Sequence, residues 1–261
     1  MYRFSPFSIY FQRIYKESEK PSFYIRLNIQ ILYIYLEFAL NDTNSGYGCV
    51  PGSGLDAYFQ GDVITARYAS PEMFTAAEMA AKPGRFFIRS SIKSGGLFLG
   101  GAEAAGDNQI INQGPTESRA VVAHSYYIGD TGKKCGGVPI PALYRIILGD
   151  DGRPTSQKLF EGVEQLQVRV GWDSDGDRIA DKYEDASAIA DQNPWTWNGL
   201  FPFGSKIVST RIWILVREEC PDPTYTYSGD DYQMGDLTFK PTGPDLNFRR
   251  QLYSATVALR N

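Results

Sequence analysis

Apolar residues near the start of the chain follow the period of a helix. Between Ile29 and Leu40 they recur at three- and four-residue spacing, as in an amphipathic helix that packs one face on a core. The turn-forming run from Asn41 to Gly46 is typical of a helix end. We therefore expect a first helix here. An extended strand is the alternative, because the same segment is rich in aromatic and β-branched residues.

Beyond Gly46 the pattern changes to short apolar runs separated by turn-forming clusters, which indicates an antiparallel sheet. Asp150 to Pro154 form a strong hairpin-turn signal. The candidate strands are Val63 to Tyr68, Arg85 to Ile92, Ala120 to Ile128, Ala142 to Leu148, Gln157 to Gly171, Lys206 to Arg217 and Gln251 to Leu259. The predicted fold class is α+β, with an N-terminal helix packed on antiparallel β-sheet. We divide the chain into an N-terminal helical segment, 1–46, and a β-rich globular domain, 47–261.

The composition of the N-terminal segment differs from that of the rest. The first glycine is Gly46, although the chain has 26 glycines in all. The most apolar stretch, Ile25 to Leu40, contains Arg26 and Glu37, so it is too short and too polar to span a bilayer comfortably. The pattern of a secretory leader is not recognisable in this segment.

Charge and histidine content narrow the function classes. The formal net charge is −4, whereas wrapping nucleic acid requires a basic surface, so we expect no nucleic-acid partner. His124 is the only histidine, which excludes a histidine-rich zinc site and leaves one candidate base for a nucleophilic triad. Two carboxylates of a glycosidase remain an enzymatic alternative, but chance pairs are expected among 30 acidic residues. We expect no enzyme activity.

The three cysteines allow one disulfide and one free thiol. Cys49, Cys135 and Cys220 form no Cys-x-x-Cys pair, so zinc-ribbon and thioredoxin interpretations fail. Cys49 and Cys135 both lie in glycine-rich stretches, and we prefer that pairing, although spacing alone does not fix connectivity. A disulfide would indicate an exported protein.

An acidic loop is the candidate metal site. Its aspartates occupy positions 1, 3, 5 and 9 of a loop with Glu184 at position 12. They are Asp173, Asp175, Asp177 and Asp181. Alternate carboxylates of this kind suit Ca²⁺, which takes six to eight oxygens, and Ca²⁺ is the one possible cofactor. Arg178 stands at position 6, where such loops favour glycine, so a solvated turn is the alternative.

Several segments, in order, resemble one family. The most specific is Leu159-Phe-Glu-Gly-Val-Glu-Gln-Leu-Gln167, which the acidic loop follows. The others are Gly46 to Cys49, Gly61 to Tyr68, Leu143 to Arg145, Lys206 to Arg217 and Arg249 to Asn261. Together they resemble the PilW family of type IV pilus minor pilins. The glycine cleavage site and the long apolar helix of pilins are not recognisable before Gly46.

The resemblance implies a pilin-like fold, as in GspJ-type pseudopilins, and a non-catalytic role in pilus assembly and priming at or near the tip. It implies contacts with PilV-, PilX- and FimU-like minor pilins, a PilY-type tip adhesin and the major pilin. It also implies export to the inner membrane and periplasm, then the extracellular pilus. A calcium-dependent adhesive or ligand-binding extracellular module is the alternative function.

An aromatic loop supplies candidate interface residues. Trp195, Trp197 and Phe201 lie close together in the sequence, and buried aromatic residues often dominate protein–protein contacts. The alternative is that both tryptophans pack beneath their own loop.

Overall fold

The computed structural model describes residues 35–39, 50–91, 95–101, 116–185 and 206–258. Strands make up 61% of these residues and helices 6%. The strands are β1 (Tyr35–Ala39), β2 (Tyr58–Met73), β3 (Phe86–Ser90), β4 (Gly95–Leu99), β5 (Glu117–Cys135), β6 (Val138–Leu148), β7 (Pro154–Glu161), β8 (Val163–Asp173), β9 (Lys182–Glu184), β10 (Lys206–Arg217), β11 (Tyr232–Met234), β12 (Leu237–Phe239) and β13 (Arg250–Ala258). A short helix, α1 (Ala76–Ala80), and a 3-10 helix (Gly243–Asn247) complete the described elements.

The predicted α+β class with an N-terminal helix is wrong. No helix of seven or more residues occurs in the described part of the chain. Tyr35–Ala39, which the periodicity assigned to the helix, form β1 and pair antiparallel with β2, with Ala39 opposite Val63. Helical spacing is a weak guide in a segment this rich in aromatic residues, since such side chains also suit a sheet edge. The strand alternative was the correct one for these five residues.

The larger sheet has seven strands and is organised around β5. One end of β5 pairs with β3, with Phe87 opposite Ala120, and the other end pairs with β6, with His124 opposite Ile147. β2 lies along the opposite side of β5. Three strands complete the sheet: β1 pairs with β2, β4 pairs with β3, and β7 pairs with β6. The predicted hairpin turn between β6 and β7 is confirmed, with Leu148 opposite Pro154.

The smaller sheet has the order β13-β10-β8-β9 and packs on the larger one. Leu166 and Val168 of β8 lie in one buried cluster with Ile64, Ile128 and Leu143 of the larger sheet. The sheets approach closely at Gly61, whose φ is +81° and where a Cβ would lie 2.8 Å from the carbonyl oxygen of Leu166. Only glycine fits there without displacing backbone.

A hydrogen bond also links the two sheets, and a glycine divides one of the predicted strands. The Asp62 carboxylate accepts a hydrogen bond from the Val168 N–H at 2.8 Å. The predicted strand from Gln157 to Gly171 is broken at Gly162, whose φ is +81°. The chain therefore crosses from β7 in the larger sheet to β8 in the smaller one at that glycine. No described helix is long and apolar enough to cross a membrane.

Candidate functional site: acidic loop, buried ion cluster and open strand edge

The acidic loop connects β8 to β9 and is closed by its first aspartate. Asp173 is fully buried. Its Oδ1 accepts a hydrogen bond from the Gly176 N–H at 2.6 Å, and its Oδ2 accepts one from the Arg178 N–H at 3.0 Å. These bonds give the buried Asp173 carboxylate two hydrogen-bond donors from its own loop. One function of Asp173 is therefore to fix the loop conformation.

The structure brings three of the four predicted metal ligands together. Carboxylate oxygens of Asp173, Asp175 and Asp177 all lie within 4.8 Å of one another. Asp181 instead accepts hydrogen bonds from the Ser174 hydroxyl at 2.5 Å and from the Ser174 N–H at 2.7 Å. The hydroxyl bond, followed by the backbone bond, lowers the pKa of Asp181.

Two further residues of the loop, Glu184 and Arg178, also matter for the calcium hypothesis. Glu184, at position 12, is paired with Lys182 at 2.6 Å. Arg178 has a φ of +73°, the left-handed conformation that glycine would adopt more easily at position 6. Exposed acidic groups such as Asp175 and Asp177 are also common without an ion. Calcium binding at Asp173, Asp175 and Asp177 therefore stays a prediction.

The disulfide differs from the preferred pairing. Cys135, at the end of β5, is bonded to Cys220, just after β10. The Cys49–Cys135 pairing is therefore wrong, and Cys49 itself lies outside the described residues. The bond ties the β5–β6 hairpin to the segment that leads toward β11, and Gly136 lies against Pro221 there. The sequence separation of the cysteines did not predict this disulfide, because the pairing depends on how the two sheets meet.

A buried ion cluster was missed by the sequence interpretation. Glu164 in β8 lies between Arg250 of β13, with Nε 2.5 Å from its Oε1, and Arg217 of β10, with Nε 3.1 Å from its Oε2. Burial raises the pKa of Glu164, and its interactions with Arg250 and then Arg217 oppose that effect. The Arg217 guanidinium lies 4.0 Å from the centre of the buried Phe248 ring.

The cluster also anchors the chain that leads into β13. Arg250 Nη1 donates to the Asp245 carbonyl at 2.6 Å, and Arg217 Nη2 donates to the Pro139 carbonyl at 2.5 Å. Charged residues are rarely this buried unless they are paired. The arrangement explains how the last strand is held.

The last described strand forms a regular open edge. β13 pairs with β10 over nine consecutive residue pairs without a register shift, from Arg217 opposite Arg250 to Ser209 opposite Ala258. Gln251 and all residues from Tyr253 to Ala258 are exposed. Tyr253 and Val257 are exposed by 59% and 47%. No other described strand pairs with the outer side of β13.

The comparison with protein families decides the classification. The family model described as type IV pilus-assembly protein W matches residues 125–261. This chain belongs to the PilW family. No curated protein and no solved structure matches it.

PilW membership confirms the resemblance and connects the protein to type IV pilus assembly. The family is generally non-enzymatic and associated with the periplasm and the pilus. The matched residues contain the acidic loop, the Cys135–Cys220 bond, the ion cluster and the β13 edge. The predicted interface residues Trp195, Trp197 and Phe201 fall in this region but lie outside the described residues, so their role stays a prediction.

Proposed function

We propose that this PilW-family protein is a non-catalytic minor pilin that takes part in priming type IV pilus assembly at or near the tip. The observation that carries the proposal is the family match across the C-terminal half of the chain. The proposed partners are PilV-, PilX- and FimU-like minor pilins, a PilY-type tip adhesin and the major pilin. The proposed route runs from the inner membrane and periplasm to the extracellular pilus.

Filament building requires a rigid body with surfaces that complement different neighbours. Contacts between unlike surfaces do not close into a ring and therefore permit a filament. Two features of the matched region support such rigidity: the Cys135–Cys220 bond and the ion pairs from Glu164 to two strands. Neither feature requires a substrate, a cofactor or a catalytic base.

Gene deletion tests this proposal directly. We expect the deletion strain to lose surface pili and the wild-type gene to restore them, as counted by electron microscopy. We also expect other minor pilins to co-purify with the protein from detergent-solubilised membranes. Normal piliation in the deletion strain would contradict the proposal.

A calcium-dependent adhesive or ligand-binding module is the second candidate. The gathering of the Asp173, Asp175 and Asp177 carboxylates favours it. This candidate predicts that Ca²⁺ stabilises the protein and that attachment to surfaces depends on Ca²⁺ even when pilus number is unchanged. Calcium-independent attachment together with calcium-independent stability would contradict it.

A further inference from the structure

The outer edge of β13 lacks the features by which proteins usually block strand addition. Edge strands expose unpaired N–H and C=O groups, and natural proteins protect them with charged side chains, prolines, bulges or short length. From Leu252 to Ala258 the sequence is Leu-Tyr-Ser-Ala-Thr-Val-Ala, with no charge and no proline. Its pairing with β10 has no bulge. At about 3.4 Å per residue, the nine-residue strand offers an edge about 30 Å long.

The other edge strands in the described part of the chain are shorter than β13, including β11 and β12 with three residues each. β7 carries Pro154 and Lys158. β9 has three residues, two of them charged, and β1 and β4 have five residues each. β13 is therefore the longest sheet edge in the described part of the chain, and it carries no charge or proline from Leu252 to Ala258.

The side chains of β13 indicate the chemistry of a suitable partner. Cross-strand partners share a face of a sheet, so Tyr253 and Ala255 point to the same side as Ile214 and Ile212, which pack on the core. Tyr253 and Val257 extend that apolar surface into solvent, with the small Ala255 between them. A charged partner side chain would be desolvated there without a counter-ion, at a high cost. The edge therefore fits an uncharged strand with an apolar side chain opposite Ala255.

The size of the edge argues for a partner that other contacts also hold. A stable interface buries about 1,200–2,000 Å², and one added strand covers a strip only about 30 Å long and one strand, about 4.8 Å, wide. Pairing with a second copy through this edge alone would be too small for a stable dimer. A filament supplies the missing contacts, because its subunits also touch through other surfaces.

We propose that β13 accepts an uncharged β-strand of a different pilus subunit and so extends the smaller sheet across the subunit boundary. The proposal rests on the assembly role proposed above and names the surface through which that role is carried out. The backbone of the added strand would hydrogen-bond to β13, and its apolar side chains would cover Tyr253 and Val257.

The decisive experiment places a photoreactive residue at the edge in piliating cells. Full-length protein carrying Tyr253→p-benzoylphenylalanine is expressed in the deletion strain, irradiated and mapped by mass spectrometry. We expect adducts within an uncharged strand of another pilus subunit. Phe160→p-benzoylphenylalanine is the matched control, because Phe160 is 66% exposed but lies on the protected strand β7.

A charge on the edge should weaken the contact strongly without unfolding the protein. We expect Ala255→Lys to reduce the Tyr253 adduct about tenfold or more, since burying an unpaired charge costs at least that factor in affinity. Thr155→Lys, at an exposed position of β7, should leave the adduct unchanged. Thermal melts check that both variants fold, and Tyr253→Lys, tested for loss of pili, replaces Ala255→Lys if the latter is unstable.

The outcomes separate this proposal from the assembly role. An absent adduct at Tyr253, an adduct to a second copy of the chain, an adduct in a charged or helical segment, or an adduct insensitive to Ala255→Lys would each overturn the edge proposal. All these results are compatible with a deletion strain that lacks pili. A fully piliated deletion strain would instead overturn the proposed function itself.

Discussion

Two adjacent arginines at the start of β13 provide a direct test of the buried ion cluster. The Arg250 side chain is 0% exposed and pairs with Glu164, whereas the Arg249 side chain is 55% exposed and pairs with Asp222 at 3.0 Å. Arg249 directly precedes the strand and Arg250 is its first residue, so the same residue type occupies two environments one position apart. The pair therefore allows a matched comparison of Arg250→Met with Arg249→Met.

Arg250→Met should be strongly destabilising. Methionine keeps most of the aliphatic volume but removes the hydrogen bonds to Glu164 and to the Asp245 carbonyl. Removing one partner of a buried pair costs about 3–5 kcal/mol. Arg217 still faces Glu164 at 3.1 Å, so we expect the lower end, about 3 kcal/mol. For a domain of this size that corresponds to a fall of about 6–12 °C in Tm.

Arg249→Met should change the free energy of unfolding by about 1 kcal/mol or less, because exposed pairs contribute little. Urea denaturation of the oxidised full chain at pH 7, followed by circular dichroism, measures both values. The double variant Glu164→Gln/Arg250→Met should lose less than the sum of the single variants, since the two residues interact. The reasoning would be refuted if Arg250→Met cost no more than Arg249→Met.

Three further predictions concern the disulfide, the histidine and the acidic loop. Cys220→Ser should lower the free energy of unfolding by about 2–4 kcal/mol, because the disulfide closes a long loop. Cys49→Ser should not lower it. Peptide mapping under non-reducing conditions that joined Cys49 to Cys135 would contradict the structure. Burial, and then Arg145, lowers the pKa of His124 below its usual value of 6.5, so the unfolded state takes up a proton more readily than the folded state. The stability that this provides is present above pH 6.5 and is lost as the pH falls below it. A melt series of His124→Phe from pH 7.5 to 5.5 should lack that loss. The calcium hypothesis predicts a higher Tm in Ca²⁺ than in chelator. The increase corresponds to about 2.7 kcal/mol when the Ca²⁺ concentration is 100 times the Kd, and Asp175→Ala should abolish this increase. Equal Tm values for the wild-type protein in Ca²⁺ and in chelator would contradict the hypothesis.

Local patterns predicted the longer strands but missed β4, β9, β11 and β12, and they assigned the first element to a helix. The hairpin turn from Asp150 to Pro154 and the strand at Lys206 to Arg217 were correct, because turn chemistry and β-branched runs act over a few residues. Tyr35–Ala39 were assigned to a helix because apolar spacing near helical period outweighed their aromatic content. Pairing with β2 fixed the outcome, and that partner lies more than 20 residues away.

The same contrast holds for the candidate site: the feature whose residues are close in the sequence was predicted, and the features between distant strands were not. The acidic loop was recognisable because its carboxylates are close in sequence, and three of them meet in space. The ion cluster was not recognisable, since Glu164 and Arg250 come from strands 86 residues apart. The disulfide was mispaired for the same reason: Cys135 and Cys220 are separated by 85 residues. Glycine-rich surroundings describe loops, but they do not show which loops meet.

The ion cluster and the open edge are two consequences of how β13 joins the smaller sheet. Arg250 is buried at the start of the strand, where the Gly243–Asn247 helix and Phe248 cover it. Seven residues later the strand is exposed at Val257. Burying a charge pair at one end holds the strand without requiring apolar packing along its whole length, which leaves the other end available to a partner. We therefore expect Arg250→Met to weaken the Tyr253 cross-link at temperatures where the protein is still folded. Thr155→Lys, which leaves this anchor intact, should not. An Arg250→Met protein that cross-links like wild type would show that the anchor and the edge act independently.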